Sequence, residues 1–148
     1  MISLLIIIAT VVVSISAFSK QDLFDKLKFN AFSIVHKKQH YRLLSHIFVH
    51  GGYGHLAFNM LTLYFFGSYV EKTFQYHFDG NVAIVYFLLL YFGGAIVSSL
   101  YSLEKYKNDA YYNAVGASGA VSAVLYSYIL LDPWGKIYIF FIPGVAVR

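Results

Sequence analysis

The amino-acid sequence predicts an all-α polytopic membrane protein, with four complete transmembrane helices plus the start of a fifth, in one domain over residues 1–148. Three observations carry that expectation. Charged residues make up 12 % of the chain and hydrophobic ones 59 %, against about 25 % and 45–50 % in soluble domains. The mean hydropathy is +0.62. Uncharged apolar stretches of near-membrane length also recur between short loops. So little polar surface cannot cover a water-soluble globule, and lipid is the solvent such a chain suits.

The stretches follow in order. Residues 2–18 approach the ~20 needed to cross a ~30 Å hydrocarbon core. A cleaved signal peptide is the competing reading. No Lys or Arg precedes the apolar run, however, and Ser16-Ala17-Phe18 matches an A-x-A-like cleavage site poorly, so a retained span is preferred. Residues 19–53 form the longest polar segment, carrying Lys20, Lys26, Lys28, Lys37, Lys38 and Arg42 against Asp22 and Asp25. Within it Leu23, Leu27, Ala31 and Ile34 recur at helical spacing, which predicts a helix lying in the membrane interface. Residues 54–70 form the second span, with His55, Asn59, Thr62 and Ser68 among its polar members. Residues 82–103 and 110–131 form the third and fourth. The short loops 71–81, 104–109 and 132–136 make consecutive spans antiparallel neighbours in a compact bundle. Residues 137–147 begin a fifth span, interrupted by Pro143-Gly144. As a helix they rise only ~16 Å, about half a membrane, which predicts a chain truncated at its carboxyl end.

Composition also excludes. With no cysteine there is no disulfide framework and no thiolate metal site. The net charge of +4 is small, and its basic residues are not interleaved with stacking aromatics, so nucleic acid is not an expected partner. Counted mechanically, the positive-inside rule puts the 19–53 segment in the cytoplasm.

Chemistry concentrates in a few polar residues. Gly116-Ala117-Ser118-Gly119 sets a serine between two glycines in the fourth stretch. Small residues there and at Gly93-Gly94-Ala95 also read as close helix packing. His55 and Asn59 are four apart and so share a helix face. Both can donate hydrogen bonds, either across a helix contact or to a developing oxyanion, where one donor is worth about 3–4 kcal/mol. Ser118 adds its own backbone N–H from the first helical turn. A serine nucleophile needs a base, and all 6 histidines precede residue 78. On the residues alone, His55 is the base and Asn59 its orienter. His46, His50 and His55 raise the question of a metal site. With no HExxH, no Cys and no carboxylate between His46 and Asn59, no metal is expected.

The run Tyr41-Arg42-Leu43-Leu44-Ser45-His46, then His50, then Gly54-His55-Leu56-Ala57-Phe58-Asn59, resembles the first loop and second helix of rhomboid intramembrane serine proteases. Val70-Glu71-Lys72 resembles the close of that helix. Asn113-Ala114-Val115-Gly116-Ala117-Ser118-Gly119-Ala120 is similar to the rhomboid nucleophile motif, and Lys136 to Pro143 resembles the opening of the fifth helix. The resemblance implies a rhomboid-like helical bundle with a Ser–His dyad and no aspartate. Ser118 matches the nucleophile and Gly116 its motif glycine. His55 and Asn59 match the oxyanion-stabilising pair, which displaces His55 from the role of base. Arg42 matches the arginine that follows an aromatic, usually Trp, and Tyr41 departs from that pattern. Glu71 matches a structural acid. The family's base is a histidine in a sixth helix, and no position here matches it, so the 148-residue chain is expected to be inactive by itself. The family also sets the first loop outside the cytoplasm, against the lysine count. The implied partners are a transmembrane protein substrate and the lipid bilayer, with no cofactor, and the implied location is a bacterial cytoplasmic membrane. The alternative is a non-catalytic rhomboid-like membrane adaptor that binds transmembrane clients without cutting them.

Overall fold

The computed structural model describes residues 1–134 and the backbone of Lys136–Ile137 and Val145–Ala146. Helix α1, Ile2–Phe18, buries Ser3, Ile6, Thr10, Ser14 and Ala17, at helical spacing along one face. Leu4, Leu5, Ile8, Val12 and Ile15 face outward. Small and polar inside with large and apolar outside is the reverse of a helix on a soluble globule, and it suits a lipid surround. The buried Glu71 carboxylate meets the start of α1. It accepts from the backbone N–H of Ile2 (2.6 Å) and Ser3 (3.1 Å) and from the Ser3 hydroxyl (2.6 Å). Those N–H groups have no partner within the helix, so Glu71 is a structural acid.

The interfacial segment is not the one helix its apolar stripe predicts. It breaks into α2 (Gln21–Leu27), α3 (Ala31–His36), α4 (Arg42–Ser45) and a 3-10 turn, His46–Phe48. The break between α2 and α3 has two causes. Phe29 leaves helical geometry to pair with Ala114 in an isolated antiparallel bridge. Asn30 caps α3 by accepting from the Ser33 N–H at 2.8 Å, the usual role of a short polar side chain at that position.

The second apolar stretch runs unbroken through α5 (Tyr53–Thr62), a π-helical stretch Leu63–Gly67, and α6 (Ser68–His77). Helix α7, Gly80–Tyr106, is among the described residues the one helix long and apolar enough to cross a membrane by length and composition. Ile2–Phe18 and Ser118–Leu131 are apolar but shorter.

Helix α8, Ser118–Leu131, opens at the serine and not at residue 110 as expected. The residues before it cannot be helical. The Asn30 amide donates to the carbonyls of Ala110 (2.9 Å) and Tyr112 (3.1 Å), Ala114 is bridged to Phe29, and Gly116 has φ +108°. Lys136 pairs with Ala146 and Ile137 with Val145 in a short antiparallel ladder. The expected start of a fifth helix over 137–147 is therefore not helical at these described ends, and its middle lies outside the described residues. A Pro-Gly pair, lacking an N–H and a side chain, opposes a helix running through that sequence.

The core fills the space between α1, α5 and the α7–α8 pair, with Leu56, Leu63, Phe87, Tyr91 and Val124 at its centre. Helices α7 and α8 approach closely. A Cβ on Gly94 would lie 2.5 Å from the Ala123 Cβ, and one on Gly119 would collide with the Ser98 side chain.

Candidate active site

The turn leading into Ser118 is bolted to the polar segment before α5. Phe29 and Ala114 exchange both backbone hydrogen bonds, at 2.9 and 3.1 Å. The Gly116 N–H donates to the His46 carbonyl at 3.0 Å. The Ala117 N–H donates to the His50 Nε2 at 3.3 Å. These bonds span 67 positions or more in sequence, so the turn is set by tertiary structure and not by local propensity.

His50 works as a completed bridge. The Ser14 hydroxyl donates to the Phe48 carbonyl at 2.8 Å and lies 2.9 Å from His50 Nδ1. A hydroxyl has one proton, already committed, so Nδ1 carries the hydrogen and donates to Ser14. Nε2 then keeps a lone pair for Ala117. Burial, reinforced by the charge of His55 nearby, pushes the His50 pKa down to about 4, which keeps this neutral tautomer at physiological pH. His46 is likewise lowered by burial, partly opposed by its bond to the Arg42 carbonyl at 3.0 Å.

Ser118 stands at the first position of α8 with its side chain exposed. It lines a cavity of about 370 Å³ shared with His46, Ser98, Ser102, Gly116 and Ser122. His55 lies across the turn from it. Its ring packs on Gly116 so closely that a Cβ there would sit 2.5 Å from His55 Cε1 and 2.9 Å from Nε2. The His50 and His55 rings meet edge to face, 5.0 Å between centroids. Gly116 thus meets two demands that only glycine satisfies, a left-handed backbone and room for an imidazole. Asn59 is buried, and its amide donates to the His55 carbonyl at 3.0 Å, leaving one amide hydrogen uncommitted.

The expected site residues are accordingly gathered unequally. Ser118, Gly116 and His55 converge on one turn, while Asn59 lies a helical turn further along α5, beneath His55. Among the described residues Ser118 Oγ makes no hydrogen bond to His55 or Asn59, so nothing here supports His55 as a base. Nor do three of His, Asp or Glu converge as metal ligands among the described residues. Sequence reasoning missed Ser14, Asn30 and the holding roles of His46 and His50. The signal available was the recurrence of histidine at 46, 50 and 55 beside an apolar helix.

The family model described as the Rhomboid domain matches residues 37–147. The chain belongs to the rhomboid family. Its match begins in the interfacial segment, just before Arg42, and takes in α5, α7 and the Ser118 turn. Among curated relatives, RHOMBOID-like protein 2 of Arabidopsis thaliana is 40 % identical over 88 residues, covering 60 % of this chain and 24 % of that protein. RHOMBOID-like protein 12, mitochondrial, of the same plant is 31 % identical over 121 residues, covering 71 % and 34 %. Rhomboid protease GluP of Bacillus subtilis is 34 % identical over 93 residues, covering 63 % and 16 %. The chain thus spans about a quarter of the length of the first of these rhomboids. No solved structure matches it. Rhomboids are membrane-embedded proteins, in keeping with the apolar exterior here. Relatives from a plant and a bacterium do not single out a bacterial membrane.

Proposed function

We propose that residues 1–148 form a multi-pass rhomboid membrane domain carrying the nucleophile and oxyanion half of an intramembrane serine endopeptidase. In this reading Ser118 Oγ attacks the scissile carbonyl of a transmembrane substrate and gives its proton to a histidine base. The oxyanion that forms is met by His55, Asn59 and the Ser118 N–H. Such donors act where water is excluded and are worth about 3–4 kcal/mol each. The four-span bundle needs α1, the α5–α6 helix and α8 to cross beside α7. The observation that carries the reading is the Gly116 turn, whose strained backbone and missing side chain admit the His55 ring beside Ser118. A mere helix contact has no need of either.

The rhomboid resemblance implies a base that follows the nucleophile, and all 6 histidines here lie at or before residue 77, so the chain alone is expected to be inactive. The test compares the 148-residue chain with a protein carrying its natural downstream sequence, both in bilayers with a transmembrane substrate. The longer form should cut and Ser118→Ala should abolish cutting. A Ser118→Ala protein that still cuts ends the protease reading. Cleavage by the short form would return His55 to the role of base.

A packing role for Asn59 draws on one observation, the engagement of its amide with the His55 carbonyl. If Asn59 only braces α5, Asn59→Ala lowers the melting temperature and leaves turnover per folded molecule unchanged. As an oxyanion donor its loss lowers turnover about 10- to 1,000-fold with the fold intact.

A further inference from the structure

A second cleft, of about 310 Å³ and sharing no lining residue with the Ser118 cavity, is lined among others by Asp25, Lys28, Asn30, Lys37, Arg42 and Tyr111. Its charge is unbalanced. Asp25, the one acid in the lining, is paired with Lys28 at 2.7 Å, and that ammonium holds its carboxyl below the usual carboxylate range. Arg42 is only 9 % exposed. Its guanidinium donates to the carbonyls of Asp25 and Lys28, both at 2.8 Å, and to the Gln39 amide oxygen at 2.6 Å. Among the described residues it has no carboxylate partner, and neither does Lys37. Three cations against one acid leave two positive charges uncompensated around a polar cavity. The second terminal nitrogen of Arg42 has no hydrogen-bond partner among the described residues, and it bears two further donors.

We propose that this cleft binds a phosphate-bearing anion, and that its occupant in the bilayer is an anionic phospholipid headgroup. A planar guanidinium beside a mobile ammonium is the donor set that recognises phosphate. Free phosphate and a lipid headgroup share that chemistry. The surroundings favour the lipid: Tyr111, on the rim, is 92 % exposed and Tyr41, stacked against Arg42, is 45 % exposed. Exposed tyrosines of this kind settle at headgroup level. Neither Lys37 nor Asp25 lines the Ser118 cavity, so the site stands or falls independently of proteolysis.

The test titrates the whole chain in zwitterionic detergent with short-chain phosphatidylglycerol, short-chain phosphatidylcholine and inorganic phosphate, with bound lipid read by native mass spectrometry. Phosphatidylglycerol should bind more tightly than phosphatidylcholine. Lys37→Gln should weaken it about fivefold and Asp25→Asn should tighten it by a similar factor, the effect of about one charge near an anionic headgroup. Melting temperatures of both variants exclude unfolding as the cause, and opposite shifts from two neutralisations cannot come from general damage. Phosphatidylglycerol binding indifferent to both substitutions overturns the site. Inorganic phosphate binding as tightly as the lipid overturns the lipid as occupant.

Discussion

The turn before Ser118 and the α7–α8 seam share the residues 116–119 but are held by different forces. On the turn side, Gly116 and Ala117 are fixed by long-range hydrogen bonds to the His46 carbonyl and the His50 ring. On the seam side, Gly119 and Ala120 meet Gly94 and Ser98 by close packing alone, and the hydroxyls of Ser98 and Ser99 turn back onto the Ala95 carbonyl at 2.9 and 2.7 Å. The two glycines of one short motif therefore have unrelated reasons. Gly116 answers to an imidazole and Gly119 to a neighbouring helix. A directional network fixes a position, whereas a packed seam fixes a distance.

That contrast breaks most visibly at Gly116. Gly116→Ala must hold an alanine at φ +108° and push the His55 ring away. On the proposed protease reading, a shift of about 1 Å at the site is expected to lower turnover about 100-fold, while α7–α8 packing survives. Turnover measured beside melting temperature checks it, and an unchanged rate would mean that His55 does not act on the substrate.

Gly119→Ala tests the other side. Its new methyl meets Ser98, and overpacking of this sort costs about 1–3 kcal/mol. The melting temperature should fall, with turnover per folded molecule little altered, and Ser98→Gly in the same chain should restore most of the loss. No rescue by the second substitution would place the strain elsewhere.

His50→Ala leaves the Ala117 N–H buried without its acceptor, at a cost of about 1–3 kcal/mol. The same residue sets a pH dependence. Its folded pKa of about 4 lies below the ordinary histidine value of 6.5, so between those values the unfolded chain binds the extra proton. Its stabilising contribution is complete above pH 6.5 and is lost as pH falls towards 4, at up to about 1.4 kcal/mol per pH unit for one group. Melting temperatures across that window should slope downward with acid, and His50→Ala should flatten the slope. His46, shifted in the same direction, accounts for what remains.

The smallest effect is expected where neither force operates. The hydroxyls of Thr10 and Tyr91 are buried beside each other, too poorly placed for a full hydrogen bond among the described residues. Removing both, as Thr10→Val with Tyr91→Phe, deletes unsatisfied polar groups and should leave stability unchanged or slightly raised. A drop of more than about 1 kcal/mol in unfolding free energy would reveal a partner, such as a bound water, between α1 and α7.

Much of this was legible in sequence, for reasons that differ by region. Apolar runs between short loops gave α1, α7 and the α5–α6 helix because lipid tolerates little charge on a spanning surface. The Gly-Ala-Ser-Gly run and the His55–Asn59 spacing drew attention to the candidate site because polar groups are rare there. What stayed hidden was non-local. Ala110 to Ala117 reads as largely helix-compatible, and beside a local turn in which the Tyr111 N–H donates to Asp109, the partners Phe29, Asn30, His46 and His50 hold it out of the helix. Likewise Leu23, Leu27, Ala31 and Ile34 keep helical spacing across a break imposed by Phe29. Periodicity reports which face a residue prefers and is blind to a bond reaching in from 80 residues away.

The π-helical stretch Leu63–Gly67 bears on how the α5–α6 helix is kept in phase. An α-helix turns about 100° per residue, and a wider π turn takes up one residue more than an α turn. The His55–Asn59 half and the Glu71 half of one rod are thereby indexed separately, like two dials on a shared shaft. Converting the π turn to α pitch with no residue removed would rotate Glu71 by about a quarter turn relative to His55, away from the Ile2 and Ser3 amides, whereas deleting one residue from it would keep the present phase. In the first case either α1 loses its anchor or His55 swings off Gly116. The wider turn is thus the adjustment that lets one helix serve two partners at once.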